Sequence, residues 1–395
     1  MLIPALLGVT LLAATSMNQS NDKLAAAIQP FVDRHSLAGA VMLVANRERV
    51  LDVACVGLAD IAGGKAMKPD DLFWIASESK PITATAFMML VDEGKVHLDD
   101  PVSKYLPEFG QLWVEDHLQV IDPRFNPNES VIGEGPREHM VLTRPSHPIT
   151  VREILSHTSG MRFSSLIENP TLDLMPLRDA VGSYALTPLE TDPETKYSYS
   201  NAGVNTAGRI IEVVSGMPYE KFLEERLFKP LGMKDTTFLP NKHQIERLAK
   251  SYKPDEAKTN LLETPITQLK YPLDDPHRYP FPAGGLFSTS ADMCRFGRFI
   301  LNGGVYEGRR LVSEQSIHEM TTKQTGPHVD TQYGLGWGVG ETFGHGGAYS
   351  TDLTIDPKHG LVLIWMVQQA GFANDGDQAV GVFKRLATEL YGNRG

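Results

Sequence analysis

Hydrophobic and polar positions divide this chain into three regimes. Leu2 to Ala14 is a mostly apolar run, too short to span a bilayer as a helix but as long as a signal-peptide core. Residues 1–16 therefore read as an export signal to the periplasm or the cell exterior, although no Lys or Arg precedes the run. From Lys23 to His35 the apolar residues Leu24, Ile28, Phe31 and Val32 recur at helical spacing, with Pro30 placed to kink the helix. Two β-prone runs follow, Gly39 to Val44 and Val50 to Val56, separated by the polar Ala45-Asn46-Arg47-Glu48-Arg49, which predicts a hairpin. A further apolar run reaches Ile75 and leads into good helix formers from Ala84 to Leu90, closed by Gly94.

The pattern changes after Asp99. A polar, proline-punctuated stretch extends to Pro148, the length of a lid or binding insert near 109–148. Thr150 and Glu153 then form a capping-box pair for a helix that runs into Leu155-Ser156-His157-Thr158-Ser159-Gly160. In that tight Ser/Thr/Gly turn His157 reads as a hydrogen-bonding structural residue rather than a base. Val204 to Val214 and Pro218 to Phe228 are patterned as helices, so the middle of the chain is mostly helical. Strand-like segments return from about Tyr271. Ser290 caps a predicted helix from Ala291 to Leu301, and Leu353–Ile355 and Leu361–Val367 flank the turn Asp356-Pro357-Lys358-His359-Gly360. Asp377 to Tyr391 closes the chain as a helix. Helix and hairpin at one end, hairpin and helix at the other, fit an α+β fold with an antiparallel sheet flanked by helices.

Composition narrows the partners. The 395 residues carry a net charge of −11, which gives no basic stripe to neutralise nucleic-acid phosphates and no attraction to an anionic membrane surface. Cys55 and Cys294 are the two cysteines; both read as buried thiols, with a disulfide between them open on sequence grounds. No Cys/His group has zinc spacing and no glycine-rich loop follows a strand as a phosphate cradle would, so neither a metal nor another cofactor is expected. A small-molecule substrate is.

The chemistry gathers at Phe73-Trp74-Ile75-Ala76-Ser77-Glu78-Ser79-Lys80. If a helix begins near Ser77, Ser77 and Lys80 stand one turn apart on the same face. The amine can then accept or relay the hydroxyl proton, and backbone N–H groups can hold an oxyanion. The spacing alone is weak, since Ser20-Asn21-Asp22-Lys23 matches it too and a helix-capping serine would look the same.

Two more segments decide it. Tyr199-Ser200-Asn201 and His345-Gly346-Gly347, in this order and with Leu155–Gly160 and Tyr333-Gly334-Leu335-Gly336-Trp337 flanking, resemble the serine β-lactamase and penicillin-binding superfamily. Within it the chain is most similar to class C β-lactamases and family VIII carboxylesterases. The resemblance runs from about Leu24 to Leu390. It implies an α/β domain from both chain ends (22–105 and 265–395), a mostly helical domain (106–264) with the lid-like insert, and a site between them.

The resemblance also implies roles. Ser77 would be the acyl-accepting nucleophile, and Lys80 would hydrogen-bond it and, as a cation, stabilise a deprotonated partner. Tyr199 would be the general base, or half of a shared Lys–Tyr base, with the nearby ammonium favouring its phenolate. Asn201 would orient Lys80 or the acyl side of the substrate. The N–H groups of Ser77 and Ala348 would form the oxyanion hole, and Gly346 and Gly347 would let substrate lie against the strand. The superfamily's lactamases and peptidases usually carry Lys-Thr-Gly where this chain has His345-Gly346-Gly347. A histidine is mostly neutral at pH 7, a weaker anion clamp that tilts the expectation toward short-chain esters. A β-lactamase, a DD-peptidase or another amide hydrolase is the nearest alternative. A penicillin-binding sensor that acylates without turnover is the other.

Overall fold

The computed structural model describes residues 23–116, 141–168 and 171–392. The expected export signal at 1–16 and the centre of the insert, 117–140, lie outside the described residues. Among the described residues no helix is long and apolar enough to cross a membrane.

The elements that build the frame are α1 (residues 23–33), β1 (Gly39–Asn46), β2 (Val50–Asp60), β3 (Lys65–Ala66), α2 (Ser79–Asp92), α3 (Val151–Ser156), α4 (Leu177–Ala185), α5 (Asn201–Ser215), α6 (Ser290–Leu301), β4 (Phe343–Gly346), β5 (Asp352–Asp356), β6 (Leu361–Met366) and α7 (Ala379–Tyr391). One six-stranded sheet, ordered β4-β5-β6-β1-β2-β3 and antiparallel at every pairing, joins strands from the two ends of the chain. The first hairpin turns where expected because the Asn46 side chain accepts the N–H groups of Glu48 and Arg49 at 2.9 and 2.8 Å.

Both faces of the sheet are covered, which is why β1 and β6 read as continuous apolar runs. Met42, Val44, Leu363 and Trp365 face α1 and α7, meeting Leu24, Ile28 and Phe383. Val41, Leu43, Leu353 and Ile364 face the other way, toward Cys294 and Phe296 of α6. That second core continues without a break through α2 into Val181 of α4 and Ile210 of α5. Helix α2 is buried from Ser79 to Leu90, as an all-round apolar helix must be.

Three local expectations are corrected. Helix α5 starts at Asn201, three residues before Val204, because Ser200 is its cap, its Oγ accepting the Gly203 N–H at 3.1 Å. The cap of α6 is Thr289, whose side chain takes the Asp292 N–H at 3.3 Å, and Ser290 is already helical. Both cysteines are free thiols, Cys294 buried as expected but Cys55 only half-buried on β2. Val114–Asp116 pairs with Val141–Thr143 in a two-stranded antiparallel ribbon.

Candidate active site

Between Asp71 and Leu90 every residue is buried except Ser77. The chain reaches it through a short strand, Phe73–Trp74, paired with Phe287–Ser288. The Ile75 N–H bonds to the Leu286 carbonyl at 3.0 Å, and the Trp74 indole N–H bonds to the Gly284 carbonyl at 2.7 Å. Ala76 then takes a left-handed φ of 45°, an unfavourable state for a residue with a Cβ, worth about 1–3 kcal/mol when the surroundings impose it. A 3₁₀ turn over Ala76–Glu78 runs straight into α2, whose first turn tolerates Pro81 because its N–H has no helical partner there.

One turn on from Ser77, the Lys80 Nζ contacts the Ser77 Oγ at 3.1 Å, the Asn201 Oδ1 at 2.8 Å and the Ala283 carbonyl at 2.7 Å. All three partners are uncharged. Burial without a carboxylate contact pulls the lysine well below its usual range, while three acceptors work in the opposite direction by satisfying an ammonium. The arrangement serves both protonation states. As NH₃⁺ the lysine donates three bonds; as NH₂ it donates to Asn201 and Ala283 and turns its lone pair to the Ser77 hydroxyl.

Tyr199 faces Ser77, whose hydroxyl favours its ionised form, and the Lys80 Nζ lies 4.6 Å from the centre of its ring. His157 grips both chain neighbours of Tyr199: the Ser198 N–H bonds to its carbonyl at 2.8 Å and the Ser200 N–H to its Nδ1 at 3.1 Å. Its ring packs 4.6 Å from that of Tyr199. Burial, then the Lys80 charge, holds the His157 imidazolium well below its usual range, so it is the structural residue the turn predicted. The phenolate expectation is corrected. Burial raises the Tyr199 phenol more than the Ser77 hydroxyl lowers it, so the resting pair is a neutral phenol beside a desolvated amine.

Strand β4 brings up the third segment. A Cβ on Gly347 would lie 2.7 Å from the Ile75 carbonyl and 2.2 Å from the Thr351 Oγ1, so only glycine lets the strand end close on the turn that carries Ser77. Ala348 follows in an exposed turn. The His345 Nδ1–H donates to the Gly346 carbonyl at 2.8 Å, which leaves Nε2 to accept the Tyr333 hydroxyl at 3.1 Å. Burial, with a smaller push from Lys80, drives its imidazolium down to about 3. Tyr199, Tyr333 and His345 line a groove of ≈ 450 Å³ together with Asp352, Thr354 and Lys384. Lys384 is paired there with Asp352 at 2.8 Å. A larger cavity, ≈ 810 Å³, lies elsewhere against Ile245, Leu248 and Leu273 and has none of the expected site residues in its wall.

The family model "Beta-lactamase" matches residues 24–384. The chain belongs to the β-lactamase family. That places it in a superfamily of serine hydrolases. Penicillin-binding protein 4 of Amycolatopsis lactamdurans is 28% identical over 373 residues, covering 91% of this chain and 86% of that protein. The D-alanyl-D-alanine-carboxypeptidase/endopeptidase AmpH of Escherichia coli strain K12 is 24% identical over 84% of this chain and 80% of its own. Among solved structures, EstCE1, a hydrolase with promiscuous acyltransferase activity, shares the fold at a TM-score of 0.74 and 21% identity, over 94% of this chain and 99% of that one.

In this β-lactamase-family chain Ser77, Lys80, Tyr199 and Asn201 converge, and His345 joins them through Tyr199, ring centres 6.1 Å apart. Two participants escape sequence reasoning. Ala283 acts through a main-chain carbonyl, which no side chain announces; only its glycine-rich turn is visible in sequence. Tyr333 heads the flanking Tyr-Gly-Leu-Gly-Trp, yet its bond to His345 depends on a 12-residue separation that no local pattern encodes.

Proposed function

We propose that this protein hydrolyses short-chain carboxylic esters through an acyl-enzyme on Ser77. The observation that carries the substrate class is a histidine in place of a lysine at position 345, its ring held between the Gly346 carbonyl and the Tyr333 hydroxyl. Where a lactamase would present a permanent cation, this strand presents none, and Lys384 in the same groove is already paired.

In this reading the Lys80 amine, with Tyr199 alongside, takes the Ser77 proton as Oγ attacks the ester carbonyl. The N–H groups of Ser77 and Ala348 hold the oxyanion. Collapse expels the alkoxide, which receives the proton, and water then repeats the sequence on the acyl-enzyme with the same base. Asn201 keeps Lys80 aimed. The cleft lies between an α/β part (22–105 and 265–395) and a mostly helical part (106–264).

The working form of Lys80 is the uncharged one, so kcat/KM falls as pH drops through its pKa, which burial places below that of a free lysine. Buried surroundings and the Lys80 charge hold the His345 imidazolium below its usual range, so the limb is assigned to Lys80. His345→Gln is therefore expected to leave the acid limb in place; a limb that vanishes with the histidine would assign it to His345 instead.

Amide or β-lactam hydrolysis is the second reading, favoured by likeness to a penicillin-binding protein and a carboxypeptidase over most of the chain. Turnover of a p-nitrophenyl short-chain ester against a chromogenic cephalosporin separates the two. The ester is expected to be the better substrate, and faster cephalosporin turnover would overturn that. A single stoichiometric burst without turnover would mark a sensor. Installing a cation, His345→Lys, is expected to raise acylation by the anionic cephalosporin on the order of tenfold, the equivalent of about 1.4 kcal/mol. No change would mean residue 345 does not set substrate charge.

A further inference from the structure

The Ala283 carbonyl is one of three acceptors on Lys80, and its position is set from behind. The Ala283 N–H donates to the Asn205 Oδ1 at 3.1 Å. Asn205 sits one turn after Asn201 on the same face of α5, so this face meets the lysine twice, once directly and once through Ala283. The Asn205 Nδ2 donates to the Tyr184 hydroxyl at 2.9 Å, and Tyr184 donates to the Glu168 Oε1. The other carboxyl oxygen, Oε2, accepts the Ser165 N–H at 2.6 Å. Glu168, Tyr184 and Asn205 are 3%, 4% and 1% exposed, so no solvent competes for these bonds.

The directions are consistent along the whole chain of bonds. An ionised carboxyl only accepts, so the tyrosine must donate to it. The tyrosine oxygen is then free to accept, which turns the Asn205 amide so that its oxygen faces Ala283. Buried networks in which every member is satisfied rigidify what they hold.

We propose that Glu168, Tyr184 and Asn205 are positioning residues that fix the Ala283 carbonyl against Lys80 and so set the lysine's basicity. The inference rests on the reading of Lys80 as the base. Loosening Ala283 removes an acceptor from the ammonium and disfavours the charged form, so the lysine's pKa falls.

Tyr184→Phe, which deletes one oxygen, and Glu168→Gln, which keeps the shape, both test it, so the result does not depend on one variant folding. Each is expected to move the acid limb of kcat/KM for a p-nitrophenyl ester to lower pH by about half a unit or more. Each should also lower kcat on the order of tenfold with KM nearly unchanged. Tyr184→Phe combined with Asn205→Ala should cost no more than the worse single change, because both break one network. A limb that stays in place in both folded variants overturns the network and leaves the Lys80 reading standing. A wild-type profile with no acid limb, together with an active Lys80→Ala, overturns the reading and the network with it.

Discussion

Ser77→Ala is expected to lower ester turnover by at least ~10⁴-fold while the protein stays folded. The size follows from the role, since without Oγ there is no acyl-enzyme and only binding and the oxyanion N–H groups remain to assist water. The fold should survive because Ser77 is the one residue not buried between Asp71 and Leu90, and its side chain fills no core position. Its side-chain hydrogen bond is to Lys80, a member of the site. Steady-state rates on a p-nitrophenyl ester, with a thermal melt of the same sample, check both halves. Turnover within tenfold of wild type would remove Ser77 from the chemistry.

Lys80→Ala is the second large effect, a loss on the order of 10³-fold in kcat, within the range for losing a positioned base. Here the fold is affected as well. The side chain is fully buried, and truncation leaves the Asn201 Oδ1 and the Ala283 carbonyl without their donor, which costs about 1–3 kcal/mol per orphaned group. Lys80→Met keeps most of the volume and separates the two effects: it should be nearly as inactive as the alanine variant but more stable. Tyr199→Phe should lose less, on the order of 10²-fold, because the amine stays in contact with Ser77. Either lysine variant retaining activity within tenfold of wild type would place the base elsewhere.

The sheet was legible because its central strands β1 and β6 are apolar on both faces, and the two hairpins are punctuated by Asn46 and by Asp356-Pro357. Ser77 and Lys80 were legible because helical spacing needs no tertiary information. Tyr199, Asn201 and His345 were legible only as an ordered set, since nothing near any one of them says what it will meet. Helix ends were read less well at Asn201 and Ser290, where a serine or threonine one position earlier took the cap. The protonation state of Tyr199 was misread for a different reason. The ammonium was expected to act as an external charge on the phenol, but folding buries both groups, and burial raises the phenol while it lowers the amine. Ala283, Asn205, Tyr184 and Glu168 were missed because their part is played through main-chain atoms and partners far apart in sequence.

The central claim is that one hydroxyl, at Ser77, carries the acyl group. Incubating the intact wild-type protein with a p-nitrophenyl alkylphosphonate and mapping the adduct by peptide mass spectrometry tests it most directly. One equivalent on Ser77, with loss of esterase activity in step, is the predicted result. An adduct on another residue, or full ester turnover that the phosphonate does not touch, would contradict it.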